Sequence, residues 1–208
     1  MLRLEAVRIK VGEFHLRAGF EVAAGESHAI IGPSGAGKST LLSAIAGFVV
    51  PLEGRMVWDG QVLDGLSPGA RPVSVIFQDN NLFGHLSVFQ NIALGLQPSL
   101  KLSDAEHDQV VQAITRVGLE GLAPRKPAAL SGGQQSRVAL ARILARARPL
   151  LLLDEPFGAL GPALRGEMLD LVAELVGASG ATLLMVTHEP RDALRITSKT
   201  ILVADGVA

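Results

Sequence analysis

Apolar and polar residues alternate along residues 2–10 (LRLEAVRIK) and again along 14–22 (FHLRAGFEV), the period of two that marks half-buried strands. A third strand, His28–Ile31 (HAII), runs directly into the glycine-rich stretch GPSGAGKST. Helical spacing then begins near Lys38 and ends at Gly47, a glycine suited to a helix C-terminus. Two further strand-like pieces, RMVW and Val73–Phe77 (VSVIF), flank the turn-rich GLSPGARP. From about Ser87 to Gly118 the pattern is helical: Ser103 with Glu106 three residues on forms a capping box, and Val110, Ile114 and Val117 fall on one face.

The remainder again alternates strand and helix. A helix follows Ser131, then come the fully apolar strand Leu150–Asp154, a helix opened by Pro162, the strand TLLMVT and a last strand TILVA. Strands alternating with helices predict an α/β fold with a mostly parallel core sheet covered on both faces. The expected organisation is a single domain over 1–208.

Composition narrows what such a fold can do. With 19 basic and 20 acidic residues the net charge is −1, so no global basic excess points to nucleic acid. The chain has no cysteine, which excludes disulfides, thiolate metal sites and a cysteine nucleophile. The N-terminus lacks the apolar core of a secretory signal. Mean hydropathy is +0.35, yet no uncharged run reaches the roughly 20 residues that cross a bilayer, so action at a membrane implies docking.

Residues Gly32–Ser39 (GPSGAGKS) match G-x-x-x-x-G-K-[ST] between a predicted strand and a predicted helix. Such a loop binds a nucleoside triphosphate, with Gly32, Pro33, Ser34, Gly35, Ala36, Gly37, Lys38, Ser39 and Thr40 as its contact set. The glycines admit phosphate to backbone N–H groups, Lys38 puts a point charge on the β/γ oxygens, and Ser39 offers a hydroxyl to Mg²⁺. Asp154 ends a buried strand, where its carboxylate reaches that Mg²⁺ through water, and the adjacent Glu155 is suited to polarise the attacking water as general base. Gln78 and His188 each follow a strand, at the edge where open α/β sheets bind ligands; taken singly, either is better explained by structure. A second candidate anion site lies at Ser131, Gly132, Gly133 and Gln134, the start of another helix.

In this order, the glycine loop, the glutamine after a strand, LSGGQ, LLLLDE and the histidine after a strand resemble the ATP-binding cassette (ABC) ATPases over essentially the whole chain. The resemblance implies a P-loop ATPase with its core in 1–80 and 145–208, an N-terminal antiparallel β part and an inserted helical subdomain over about 85–145. It implies use of ATP and Mg²⁺, with catalytic Glu155, His188 near the γ-phosphate, and Gln78 as a metal ligand that couples to a membrane partner. It further implies a homodimer holding ATP at its interface, each site completed by the other chain's Ser131–Gln134. Phe77–Leu102, with RPVSVIFQ and THEPRDALRITSKTILVADG, resembles the ATP-binding subunits of bacterial thiamine importers. On that likeness the partners are integral-membrane permease subunits and, indirectly, a periplasmic solute-binding protein, at the cytoplasmic face of the inner membrane. The alternatives are an importer ATPase for another small solute, or a soluble non-transport ABC ATPase with weakened hydrolysis.

Two positions depart from the family pattern. Gly161 stands where the family carries Asp, and Val11 where it carries the aromatic that stacks on adenine. Phe14 either replaces that aromatic or serves a core or turn role. With the chain ending at VADGVA, the C-terminal regulatory domain of many sugar, polyamine and anion importer ATPases is not expected.

Overall fold

The computed structural model describes residues 1–78 and 81–208, in the order β1 (Leu2–Val11), β2 (Phe14–Val22), β3 (Ser27–Ile31), α1 (Lys38–Ala46), β4 (Glu53–Trp58), β5 (Gln61–Val62), β6 (Val73–Ile76), α2 (Val88–Ala93), α3 (Asp104–Arg116), α4 (Gly132–Arg146), β7 (Leu150–Asp154), α5 (Pro162–Ser179), β8 (Thr182–Val186), α6 (Pro190–Ile196) and β9 (Thr200–Leu202). Two compact units result. The first contains Met1–Val75, Pro149–Glu155 and Val176–Ala208, and the second Ile76–Arg148 and Pro156–Leu175.

A four-stranded antiparallel sheet, ordered β2-β1-β4-β5, lies in the first unit. In β1 the buried positions are Leu2 and Leu4, then Val7 and Ile9, so the apolar period slips by one residue. A bulge between Leu4 and Val7, with Ala6 at φ 48°, absorbs the slip and keeps both halves facing the core. The second sheet is ordered β6-β7-β8-β3-β9, with parallel pairing of β7 with β8, β8 with β3 and β3 with β9. Every residue of β7 and β8 is buried, as expected of parallel strands covered on both faces. Leu41, Leu42 and Ile45 of α1 share one apolar core with β1, Leu150 and Leu152 of β7, and Leu184 of β8.

At the far end of α1 the guanidinium of Arg71, 2% exposed, donates to the carbonyls of Ala44 and Ile45 at 2.8 Å. The Ala44 carbonyl also accepts from the Gly47 N–H at 3.1 Å, and a cation there opposes the negative end of the helix dipole. Burial holds this guanidinium below its ordinary pKa range.

In the second unit α2, α3 and α4 pack on one another, and their apolar residues Val88, Ile92, Val110, Ile114, Val138 and Ile143 are all buried. Both halves of the Ser103–Glu106 capping box form. The helical stretch from about Ser87 to Gly118 is, however, broken into α2 and α3, with Pro98 and the positive-φ Leu100 between them. The short helix α6, with Pro190 in its first turn and Glu189 capping it, is not anticipated by sequence period. Nor is β5, and β9 stops at Leu202, Ala204 instead bridging Val207.

Candidate functional site

The glycine loop connects β3 to α1, and its shape follows from what α1 lacks. Gly37 caps the helix at φ 101° with no side-chain hydrogen bond, and the first turn carries no acidic residue. The leading N–H groups and the positive end of the helix dipole are thus left for an anion. Lys38, 7% exposed, folds back so that Nζ donates to the carbonyls of Gly32 at 2.9 Å and Pro33 at 2.8 Å. These two bonds hold an ammonium inside the loop, where it is available to phosphate oxygens.

Beside it, Ser39 Oγ donates to Asp154 Oδ1 at 3.0 Å. Asp154 is 9% exposed and its carboxyl is pushed above the usual carboxylate range, chiefly by burial. The Ser39 hydrogen bond opposes the shift, the neighbouring Glu155 charge adds to it, and Lys38 works against it. Among the described residues no group of three His, Cys, Asp or Glu side chains converges. The hydroxyl and desolvated carboxylate are instead the kind of oxygen pair that Mg²⁺ uses together with phosphates and waters.

Because its native pKa lies above its unfolded value, Asp154 contributes most to stability when protonated. That contribution is lost as pH rises through the native pKa. The nucleotide-free Asp154→Asn variant should therefore melt higher than the parent at neutral pH, by about 2–4 °C per kcal/mol recovered. The difference should shrink as pH is lowered, a trend that thermal melts across the acid range will check.

Glu155 adopts φ 45°, the left-handed region that is costly for a residue with a side chain. Its N–H donates to the carbonyl of Val186 at 3.1 Å, which ties the turn to the end of β8. The side chain lies 3.1 Å from His188 Nδ1, pairing Oε2 with the imidazole at the opening of a cleft of about 530 Å³. Phe14, Gly35, Lys38, Ser39 and Thr40 line the same cleft. This arrangement presents one anion cradle, one desolvated carboxylate and one carboxylate hydrogen-bonded to an imidazole.

Phe14 is the aromatic in this cleft, while Val11 is 48% exposed at the end of β1. A Cβ added to Gly37 would lie 2.4 Å from Phe14 Cζ, so the ring rests on the glycine loop. The absence of a side chain at Gly37 is what permits both that contact and the left-handed cap.

The first unit therefore gathers Gly32–Thr40, Asp154, Glu155 and His188. Gln78 and Ser131–Gln134 belong to the second unit. Gln78 is exposed in the turn after β6. Ser131 caps α4: its Oγ accepts from Gln134 N–H at 3.3 Å, while Gln134 Oε1 accepts from Ser131 N–H at 2.9 Å. A Cβ on Gly133 would come within 2.6 Å of Leu164, so α5 packs where only glycine fits. Arg71 escapes sequence reasoning, since a lone arginine after a turn-rich stretch gives no sign that it will cap α1.

A family model for ABC transporters matches residues 17–158. The whole chain is 58% identical to the thiamine import ATP-binding protein ThiQ of Cereibacter sphaeroides, of which it covers 90%. It is 57% identical to the protein of that name from a Ruegeria species, over 99% of this chain and 89% of that one. Among solved structures, the ABC cassette MJ0796, captured as a dimer in a post-hydrolysis state with ADP and Pi, aligns with all of this chain and 96% of its own at a TM-score of 0.85 and 32% identity. A nucleotide-free cassette from an ABC transporter aligns with all of this chain and 88% of its own, at a TM-score of 0.90 and 25% identity.

Proposed function

This chain belongs to the ABC transporter family, and from that premise we propose that it is the ATP-hydrolysing subunit of a bacterial thiamine importer. It would act as a homodimer docked on permease subunits at the cytoplasmic face of the inner membrane, fed by a periplasmic thiamine-binding protein. Among the described residues, no helix is long and apolar enough to cross a membrane. The chain would be one ATPase domain, its core in 1–80 and 145–208 and its helical subdomain over about 85–145.

The observation that carries the reading is the Glu155–His188 pair at the mouth of a cleft lined by Lys38 and Ser39. The backbone of Gly32–Thr40 and the Lys38 ammonium would bind the triphosphate. Ser39 Oγ and Asp154 would hold Mg²⁺, which when bound neutralises charge across the β- and γ-phosphate oxygens. Glu155 accepts the proton of the attacking water, and His188, hydrogen-bonded to it, fixes its orientation. The partner chain's Ser131–Gln134 completes each site, so that ATP joins the dimer and hydrolysis releases it. Swinging a two-state transporter from 1:99 to 99:1 takes about 5.5 kcal/mol of differential affinity, which two interfacial nucleotides are placed to supply.

The test is ATPase activity of the membrane complex isolated through a tag on this chain, with and without thiamine-loaded binding protein. Stimulation by thiamine, and none by sulfate, polyamine or sugar systems, is the expected result. A complex that assembles yet stays silent would refute either the cargo or the intact motor, which Gly161→Asp would then separate, and recovery without any membrane partner would refute the transporter role.

Two smaller effects bear on the departures from the family pattern. A Cβ at Gly161 meets nothing within 4 Å and the backbone there is not left-handed, so Gly161→Asp fits in front of α5. Restoring the family's carboxylate should raise turnover by about fivefold, equivalent to about 1 kcal/mol in the barrier. Steady-state ATPase checks this, and an unchanged rate would refute it. If Phe14 stacks on the base, Phe14→Ala should raise the KM for ATP by about tenfold, within the 1–3 kcal/mol range of base stacking, with kcat little changed. A phenylalanine offers no hydrogen bond to the base, so GTP should be affected to the same degree.

A further inference from the structure

The His188 side chain is 60% exposed, with Nδ1 set against Glu155 Oε2 at the cleft opening. A ring so open to solvent is held little by packing, so its direction depends on the backbone beneath it. That backbone is fastened on both sides. Just before it, the Val186 carbonyl accepts from Glu155 N–H at 3.1 Å, and Thr187 N–H donates to the Ile30 carbonyl at 3.2 Å. Thr187 is itself 5% exposed, and its Oγ1 accepts from Glu189 N–H at 3.1 Å. This bond from residue 187 to residue 189 closes a side-chain turn with His188 at its centre.

The turn runs straight into α6. Pro190 has no N–H to satisfy in the first turn, Glu189 Oε1 accepts from Arg191 N–H at 3.4 Å, and the Glu189 carbonyl accepts from Asp192 N–H at 3.1 Å. At the far end of the helix Thr197 Oγ1 donates to the Ser27 carbonyl at 2.6 Å, and Lys199 pairs with Glu26. Thus α6 is fixed to the start of β3, while the end of β8 is fixed to Ile30 near the other end of that strand. His188 is the exposed link between two anchored elements.

We infer that Thr187 is a positioning residue, whose buried hydroxyl fixes the turn at His188 and so aims the imidazole at Glu155. The catalytic use of that aim rests on the ATPase reading, whereas the orientation of the ring does not. Valine would keep the branched shape and volume of Thr187 but leave the Glu189 N–H without its acceptor, and serine would keep the acceptor.

Order at His188 is read by NMR relaxation of the nucleotide-free protein. Its backbone N–H should have an order parameter of about 0.85 in the parent and fall toward about 0.6 in Thr187→Val, with the ring carbons loosening in parallel. Thr187→Ser should stay near the parent. In the assembled complex Thr187→Val should lower kcat by about tenfold with KM for ATP held within about twofold, and Thr187→Ser should recover most of the loss. Because the effect runs through His188, it should vanish without that ring: Thr187→Val combined with His188→Ala should turn over as slowly as His188→Ala alone, within about twofold.

An order parameter that Thr187→Val leaves unchanged would overturn the inference. So would Thr187→Ser behaving like Thr187→Val, which would move the cause from the hydroxyl to packing, or a further tenfold loss in the double variant. Should Thr187→Val not fold, Thr187→Ala removes the same acceptor and must loosen His188 for the inference to stand. The relaxation measurement needs neither nucleotide nor permease. A failed transporter reading would therefore show separately, as absence of thiamine stimulation in the parent complex, and a failed role for His188 in hydrolysis as parental turnover in His188→Ala.

Discussion

Glu155→Gln will lower ATP turnover by about 10²–10⁴-fold, the usual contribution of a positioned general base. The substitution is nearly isosteric, and its amide oxygen can still accept from His188 Nδ1, whose present partner is Glu155 Oε2 at 3.1 Å. The Val186 carbonyl that receives the Glu155 N–H and the left-handed backbone there are unaffected, so binding and fold should persist. What disappears is proton acceptance. ATP should then stay bound, and the variant should run as a dimer on gel filtration in saturating Mg-ATP and as a monomer without it. A monomer under both conditions would count against nucleotide as the adhesive, and retained turnover against Glu155 as the base.

Lys38→Met will weaken ATP binding by about 10- to 10³-fold, since each charge-assisted hydrogen bond to phosphate is worth about 1.5–3 kcal/mol. Methionine keeps the length of the side chain but loses the ammonium, which now donates to the carbonyls of Gly32 and Pro33. The two phenotypes are distinct. Lys38→Met should lose affinity measured by calorimetry, whereas Glu155→Gln should bind at least as tightly as the parent and fail only at turnover. A Lys38→Met variant with parental affinity would mean that the loop amides and the α1 dipole suffice for the phosphates.

Much of this architecture was legible because local rules and tertiary environment agree. The buried leucines of β7 and the alternation of β1 and β2 each announce their burial, and the Ser103–Glu106 box states where α3 begins. The glycine loop was legible because its strand and helix neighbours are themselves clear in the sequence. Short elements were not: α6 spans seven residues and β5 two, too few to establish a period, and the break between α2 and α3 turns on Pro98 and Leu100.

The sequence by itself determined which residues carry chemical groups and on which kind of element each stands, because a strand-loop-helix unit is encoded within a few tens of neighbouring residues. Only the tertiary structure decided who meets whom. Ser39 bonds Asp154 across 115 positions, Glu155 pairs with His188 across 33, and Arg142 reaches the Asn81 carbonyl across 61. The Phe14 ring rests on Gly37, and the Arg71 guanidinium closes the far end of the same helix. Contacts of this kind follow from strand order and packing, which no local periodicity records. They also set the electrostatics, as burial of Asp154 raises its pKa through the loss of water around a group that looks ordinary in the chain.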